Sequence, residues 1–246
     1  MSDKENAVQA SRPARPAPSA AAGRSYRGGM EQTAEHAGRV RVEAFALGDF
    51  QTNAYLIHRG SGEAATVVDP GQRPGPLLGR IAQLGLSVER AVLTHAHADH
   101  CAGLAELRAQ HPGCAIEVHA AEAAYLQDPE NNLSARMGTP LFAPAATGAL
   151  TPGEPTRMAG LDWAVLPTPG HSPGGVSFHQ PELGVAVVGD TLFAGGVGRS
   201  DFPHSDPALL ASSLRLLTTL PDSTRVLPGH GPETTVGRER ASNPFL

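Results

Sequence analysis

At 246 residues, with 40% hydrophobic and 17% charged side chains, the chain has the length and composition of one large globular domain with a substantial core. A formal net charge of −5 leaves no surplus of Lys and Arg for a phosphate backbone, which excludes nucleic acid as a partner. No apolar run approaches the roughly 18 residues of a membrane helix, and two cysteines, Cys101 and Cys114, cannot build a disulfide framework but suit a reducing, cytoplasmic setting.

Residues 1 to 38 are rich in Ala, Pro, Ser, Arg and Gly without periodicity, the composition of a disordered N-terminal extension. The stretch has no apolar centre for a secretory signal, and Asp3 and Glu5 speak against a transit peptide. Met30 directly follows its most biased part, residues 1 to 29, and marks an alternative translation start. A single domain is expected from 39 to 246. It opens with "RVRVEAFAL", "NAYLIHR" and "AATVVDPG", three short runs of alternating or β-branched residues that predict a meander of strands. "GPLLGRIAQLG" predicts a helix stopped by Gly85, and "VERAVLTH" a strand running straight into "THAHADH".

"CAGLAELRAQHPG" predicts another helix, followed by a strand in "AIEVHA" and a helix in "AEAAYLQ". From 128 to 160 the periodicity is weak and a long surface segment is expected. Strands return in "DWAVLPTPGHSPGGVSFH" and "GVAVVGDTLF", then a helix in "DPALLASSLRLLTTL" and a strand in "TRVLPGHGP". Strands interleaved with helices in two similar halves predict an α/β fold with two sheets packed together and helices outside.

The chemistry concentrates at strand ends. In "THAHADH", His95 and His97 project to one side of an extended segment, while Asp99 and His100 sit at the turn into the next helix. His171 in "TPGHSPGG", Asp190 in "VVGDTLF" and His230 in "LPGHGP" each follow a strand-like run at a glycine-bearing turn. So many ionisable groups in one place are costly without a cation to offset them, and imidazoles mixed with carboxylates suit two divalent ions of the zinc, iron or manganese kind. His36, His58, His111, His119, His179 and His204 have no partners at diagnostic spacing and are expected at the surface. Trp163 is expected in the core.

"THAHADH", "PGHSPG", "GDTLF" and "PGHGP", taken together and in this order, resemble the metallo-β-lactamase-fold hydrolases, close to the glyoxalase II (hydroxyacylglutathione hydrolase) branch. The resemblance runs from about residue 39 to the C-terminus. It implies an αββα sandwich of two mixed β-sheets flanked by helices. It also implies that His95, His97 and His171 bind one metal, that Asp99, His100 and His230 bind a second, and that Asp190 bridges them, with Asp69 as an acid behind the ligands. The glyoxalase II enzymes carry a C-terminal helical domain that has no counterpart after His230, so a short form is expected.

Such a site implies hydrolysis by metal-bound hydroxide, with Asp99 orienting the attacking water. A thiolate leaves without a general acid because thiols ionise near pH 8.5, so thioesters such as S-lactoylglutathione fit best. Arg199 is the candidate contact for a substrate carboxylate, with pairing to Asp201 as its structural alternative, and Phe202 and Phe142 are candidate wall residues. The alternative readings are a persulfide dioxygenase using one iron on His95, His171 and Asp190, and a non-catalytic metal-binding module. The bridging acid at Asp190 counts against β-lactamase activity.

Overall fold

The computed structural model describes residues 40 to 246; the expected extension, the Met30 start and His36 lie outside them. β1 (Arg41–Leu47), β2 (Thr52–His58) and β3 (Ala64–Val68) pair antiparallel in sequence order, the expected meander. α1 (Gly75–Leu84) starts behind Pro74, whose fixed φ suits helix entry, and stops at Gly85, which takes the left-handed conformation (φ +61°) that glycine adopts without strain. It carries the chain over to β4 (Ser87–Val92), parallel to β3, since parallel neighbours need a crossover. After α2 (Ala98–Cys101) and α3 (Leu104–Gln110), β5 (Ala115–His119) and β6 (Gly148–Leu150) extend the sheet in parallel.

The second sheet is built from β7 (Thr156–Met158), β8 (Leu161–Pro167), β9 (Val176–Gln180) and β10 (Val185–Gly189), all antiparallel. β11 (Leu192–Phe193) and β12 (Gly196–Val197) form a small ribbon, and α4 (Pro207–Leu217) then crosses over to β13 (Arg225–Pro228), parallel to β10. β14 (Thr234–Thr235) and α5 (Val236–Ser242) end the chain. Asp206 caps α4 by accepting the Ala208 and Leu209 amides at 2.7 and 3.0 Å, and Pro207 follows at its first position.

Strand periodicity explains the layers. On β2, Tyr55 and Ile57 face the second sheet while Ala54 and Leu56 face the helical side. On β10, Val185 and Val187 face inward while Ala186 and Val188 meet α4. Three apolar layers result: α1 and α3 against the first sheet, sheet against sheet around Trp163 and Phe178, and α4 with α5 against the second sheet. This is the α/β sandwich, two mixed sheets flanked by helices, that the sequence predicts. No helix among the described residues is long and apolar enough to cross a membrane.

Three expectations need correction. The segment from 128 to 160 is not continuous loop: it contains β6 and β7, the last strand on one edge of each sheet. Strands of three residues are too short to show a period of two. "AEAAYLQ" folds as a 3-10 helix, Ala120–Gln127, rather than an α-helix. His58 is not at the surface but buried, with its Nε2 3.0 Å from Glu43 Oε1. Trp163 is fully buried as expected.

Candidate metal centre

Four strand ends deliver the seven residues singled out above. β4 leads into His95, His97, Asp99 and His100, the β8–β9 connection carries His171, β10 ends just before Asp190, and β13 ends before His230. The two sheets are stitched at this edge: Asn53 donates its side-chain amide to Pro228 O (3.0 Å) and Gly231 O (2.9 Å), and its backbone N–H to Gly229 O (2.7 Å). Gly229 is required by closeness, because a Cβ there would overlap Asp190 Oδ1 and stand 2.8 Å from His100 Cε1.

All seven residues come together. His97 Nδ1 lies 3.0 Å from His171 Nε2, and Asp190 Oδ2 lies 3.5 Å from His171 Nε2 and 3.4 Å from His230 Nε2. Asp190 Oδ1 is 3.3 Å from His100 Nε2, and Asp99 Oδ2 is 3.2 Å from His230 Nε2. The ligand-type atoms of His95, His97 and His171 all fall within 4.8 Å of one another, and so do those of Asp99, His100 and His230. Asp190 thus stands between two groups of donors.

Outward hydrogen bonds fix the rings. His171 Nδ1 donates to Arg199 O (2.8 Å) and His230 Nδ1 to Phe50 O (3.0 Å), which leaves each Nε2 lone pair pointing inward. Asp69 accepts from His100 Nδ1 (3.0 Å), from Thr94 N–H (2.8 Å) and from the Thr94 hydroxyl (2.6 Å). With its proton given to Asp69, the Thr94 hydroxyl accepts from His95 Nδ1 at 3.0 Å. Asp69 is therefore occupied behind the rings. His95 Nε2, His100 Nε2 and Asp190 Oδ1 are buried with no hydrogen-bond partner. Buried ligand atoms left without partners in each group are what divalent cations satisfy, so the residues fit metal ions.

The electrostatics divide the site. Burial, reinforced by the neighbouring imidazoles, pushes His95 well below its ordinary pKa; burial and His171 bring His97 down to about 3; burial also lowers His171. Burial opposes a charge on His100 and His230 too, but the carboxylates of Asp99 and Asp190 outweigh it, holding His100 well above its ordinary value and His230 at about 9. Asp190 is held well below the usual carboxylate range by His100, against its burial, and Asp99 is held at about 2, again by His100 against burial.

The centre opens into a cavity of about 390 Å³ lined by Phe50, Leu133, Met137, Phe193, Arg199 and Phe202. Phe202 stands edge-on to the His97 and His171 rings, with centroids 5.6 Å away in both cases. Arg199 lies over the Phe202 ring at 4.5 Å and makes a bidentate pair with Asp201 at 2.9 and 2.8 Å, so it borders the cavity and is paired as well. Phe142 is 69% exposed and does not line the cavity.

Sequence reasoning missed several contributors. Glu122, 0% exposed, accepts the Ala96 amide at 2.6 Å and the Gly174 amide at 2.7 Å, and the Thr52 hydroxyl donates to Asp99 Oδ2 at 2.9 Å. Phe50 and Met137 also escaped notice. Nothing in "AEAAYLQ" distinguishes Glu122 from a solvent-facing acid, whereas Thr94, next to His95 in the cluster itself, was within reach.

Residues 47 to 230 match the family model of the metallo-beta-lactamase superfamily. The hydroxyacylglutathione hydrolase GloC of Haemophilus influenzae is 36% identical over 211 residues, which are 84% of this chain and 98% of GloC. Among solved structures, the BLEG-1 B3 metallo-beta-lactamase superposes with a TM-score of 0.79 at 34% identity, over 84% of this chain and 99% of that one. TTHA1623, in a di-iron-bound form, gives a TM-score of 0.74 at 40% identity, over 83% and 100%.

Proposed function

The chain belongs to the metallo-β-lactamase superfamily, a family that binds divalent metals, and from that premise we propose that it hydrolyses small-molecule thioesters at a two-ion centre. His95, His97 and His171 would hold one ion, Asp99, His100 and His230 the other, and Asp190 would serve both. The observation that carries this reading is the pair of donor groups on either side of one buried carboxylate, each with an inward atom lacking a partner. Zinc is the expected ion, with iron or manganese as alternatives, because imidazole and carboxylate donors accept all three. Ions held there lower the pKa of water and polarise a carbonyl oxygen.

The chain's own groups do the rest. Asp99 faces the cavity with one oxygen fixed by Thr52, which suits it to orient the attacking water. Phe202 beside His97 and His171 keeps the reacting carbonyl in a partly dry wall, where electrostatic stabilisation is stronger than in water. As the water oxygen gives up a proton and bonds to the carbonyl carbon and the C–S bond breaks, the sulfur leaves as a thiolate without help from a general acid; it takes up a proton from solvent afterwards, and the new carboxylic acid releases its own. Among the described residues the cavity wall contains one guanidinium and no lysine, and that group, Arg199, suits a single substrate carboxylate. The buried, unpaired Cys101 and Cys114 accord with a cytoplasmic protein.

A persulfide dioxygenase would use His95, His171 and Asp190 alone and gives no account of the Asp99, His100 and His230 group. A non-catalytic metal module gives no account of the cavity. The test is metal analysis with parallel assays on S-lactoylglutathione, a β-lactam and glutathione persulfide. About two ions per chain with thioester turnover is the expected result. Oxygen uptake with one iron, β-lactam cleavage in place of thioester turnover, or full metal loading without any turnover would each overturn it.

A further inference from the structure

We propose that Glu122 is a positioning residue that sets the spacing of His97 and His95 relative to His171 before any ion binds; the inference rests on the two-ion reading above. The three imidazoles of that group come from two segments far apart in sequence, and besides the approach of the His97 and His171 rings themselves two links hold these segments together. One is the backbone bond from Val176 N–H to Thr94 O, at 2.9 Å. The other is Glu122, whose two carboxylate oxygens take one amide from each segment: Oε2 from Ala96, which lies between His95 and His97, and Oε1 from Gly174, three residues beyond His171.

The arrangement is built rather than incidental. Glu122 belongs to neither segment but to the 3-10 helix Ala120–Gln127, is 0% exposed, and has no ion-pair partner among the described residues. A carboxylate in that position is costly unless both oxygens are used. Only a carboxylate offers two acceptor atoms at the spacing of two amides; a glutamine turns one of them into a donor facing an N–H. Gly174 lets the contact close, since a Cβ there would stand 3.0 Å from Glu122 Cγ and 2.8 Å from His119 Nδ1. The Asp99, His100 and His230 group has no contact with Glu122. It is ordered by Asp69, Thr52 and Phe50 O. Glu122 therefore acts on one ion site and not on both.

The test is a Co²⁺ titration of metal-free full-length protein followed by visible absorption, with His171→Ala and His230→Ala as references that identify which step belongs to which site. In Glu122→Gln the step lost in His171→Ala weakens about 10- to 100-fold with an altered spectrum, while the step lost in His230→Ala shifts less than about threefold. Equal weakening of both steps together with a lower Tm of the metal-free protein would reduce Glu122 to a general structural role, and two unchanged steps would also overturn the proposal. Should Glu122→Gln not fold, Gly174→Ala presses on the same contact with the charge retained and is expected to weaken the same step; an unchanged step there overturns the proposal. Failure of the wild type to bind two ions would instead break the two-ion reading itself.

Discussion

The two donor groups around Asp190 differ in nearly everything except their distance from it. His95, His97 and His171 are imidazoles only, buried, and kept neutral by burial, so an ion arriving there meets lone pairs that are already free. Asp99, His100 and His230 mix charge with imidazole, and His230 keeps 27% of its side chain exposed. Without an ion, the two carboxylates draw protons onto His100 and His230. One centre thus contains a dry, neutral half and a wetter half that must lose protons to be filled.

The severest way to break this comparison is to remove what the halves share. Asp190→Ala should abolish binding at both and lower kcat/KM by on the order of 10³-fold or more, read from metal content and thioester assays. Retention of one tightly held ion would mean that the halves are independent. Asp69→Asn comes next: it weakens the acceptor for His100 Nδ1 and should reduce ion affinity in the second half by about 10- to 100-fold, visible in competition with a chelator. Because the same carboxylate also orients His95 through Thr94, a lesser loss is expected in the first half.

The proton contrast predicts a pH dependence. Folded-state pKa values raised for His230, to about 9, and for His100 mean that protons compete with the ion below those values. Affinity in the second half should therefore rise as pH climbs toward 9, by up to about tenfold per unit for each proton displaced. The lowered values of the first half predict a flat response over the same range, and calorimetry in buffers of different ionisation enthalpy would count the released protons. The smallest effect belongs to Arg199→Ala. Since Asp201 already engages the guanidinium in an exposed pair, KM for S-lactoylglutathione should rise only about two- to fivefold, with kcat unchanged. A much larger rise would show that substrate displaces Asp201.

The legible and illegible parts of this centre differ by kind of interaction. The seven inward residues could be read because unusual chemistry at strand ends stands out against turn composition, and Asp190 with His230 share that local context. The layers could be read because strands interleave with helices in two similar halves, and the unbroken burial of β2 and β10 fits strands covered on both faces. Glu122 could not be read, because its partners are backbone amides, which every residue carries. His58 escaped for a similar reason: its partner Glu43 lies across the β1–β2 pair, where spacing along the chain says nothing. β6 and β7 needed the sheets themselves as templates.

The Asn53 stitch has a consequence for how the molecule comes into being. Its bonds to Pro228 and Gly231 span 175 and 178 positions, and that of His230 to Phe50 spans 180. Loop closures of that length belong to the late, slow phase of folding. The first sheet can form early, yet the rim of the pocket at Phe50 and Asn53 closes only once residues 228 to 231 have docked against it, so the half of the centre that contains His230 is the last to take shape.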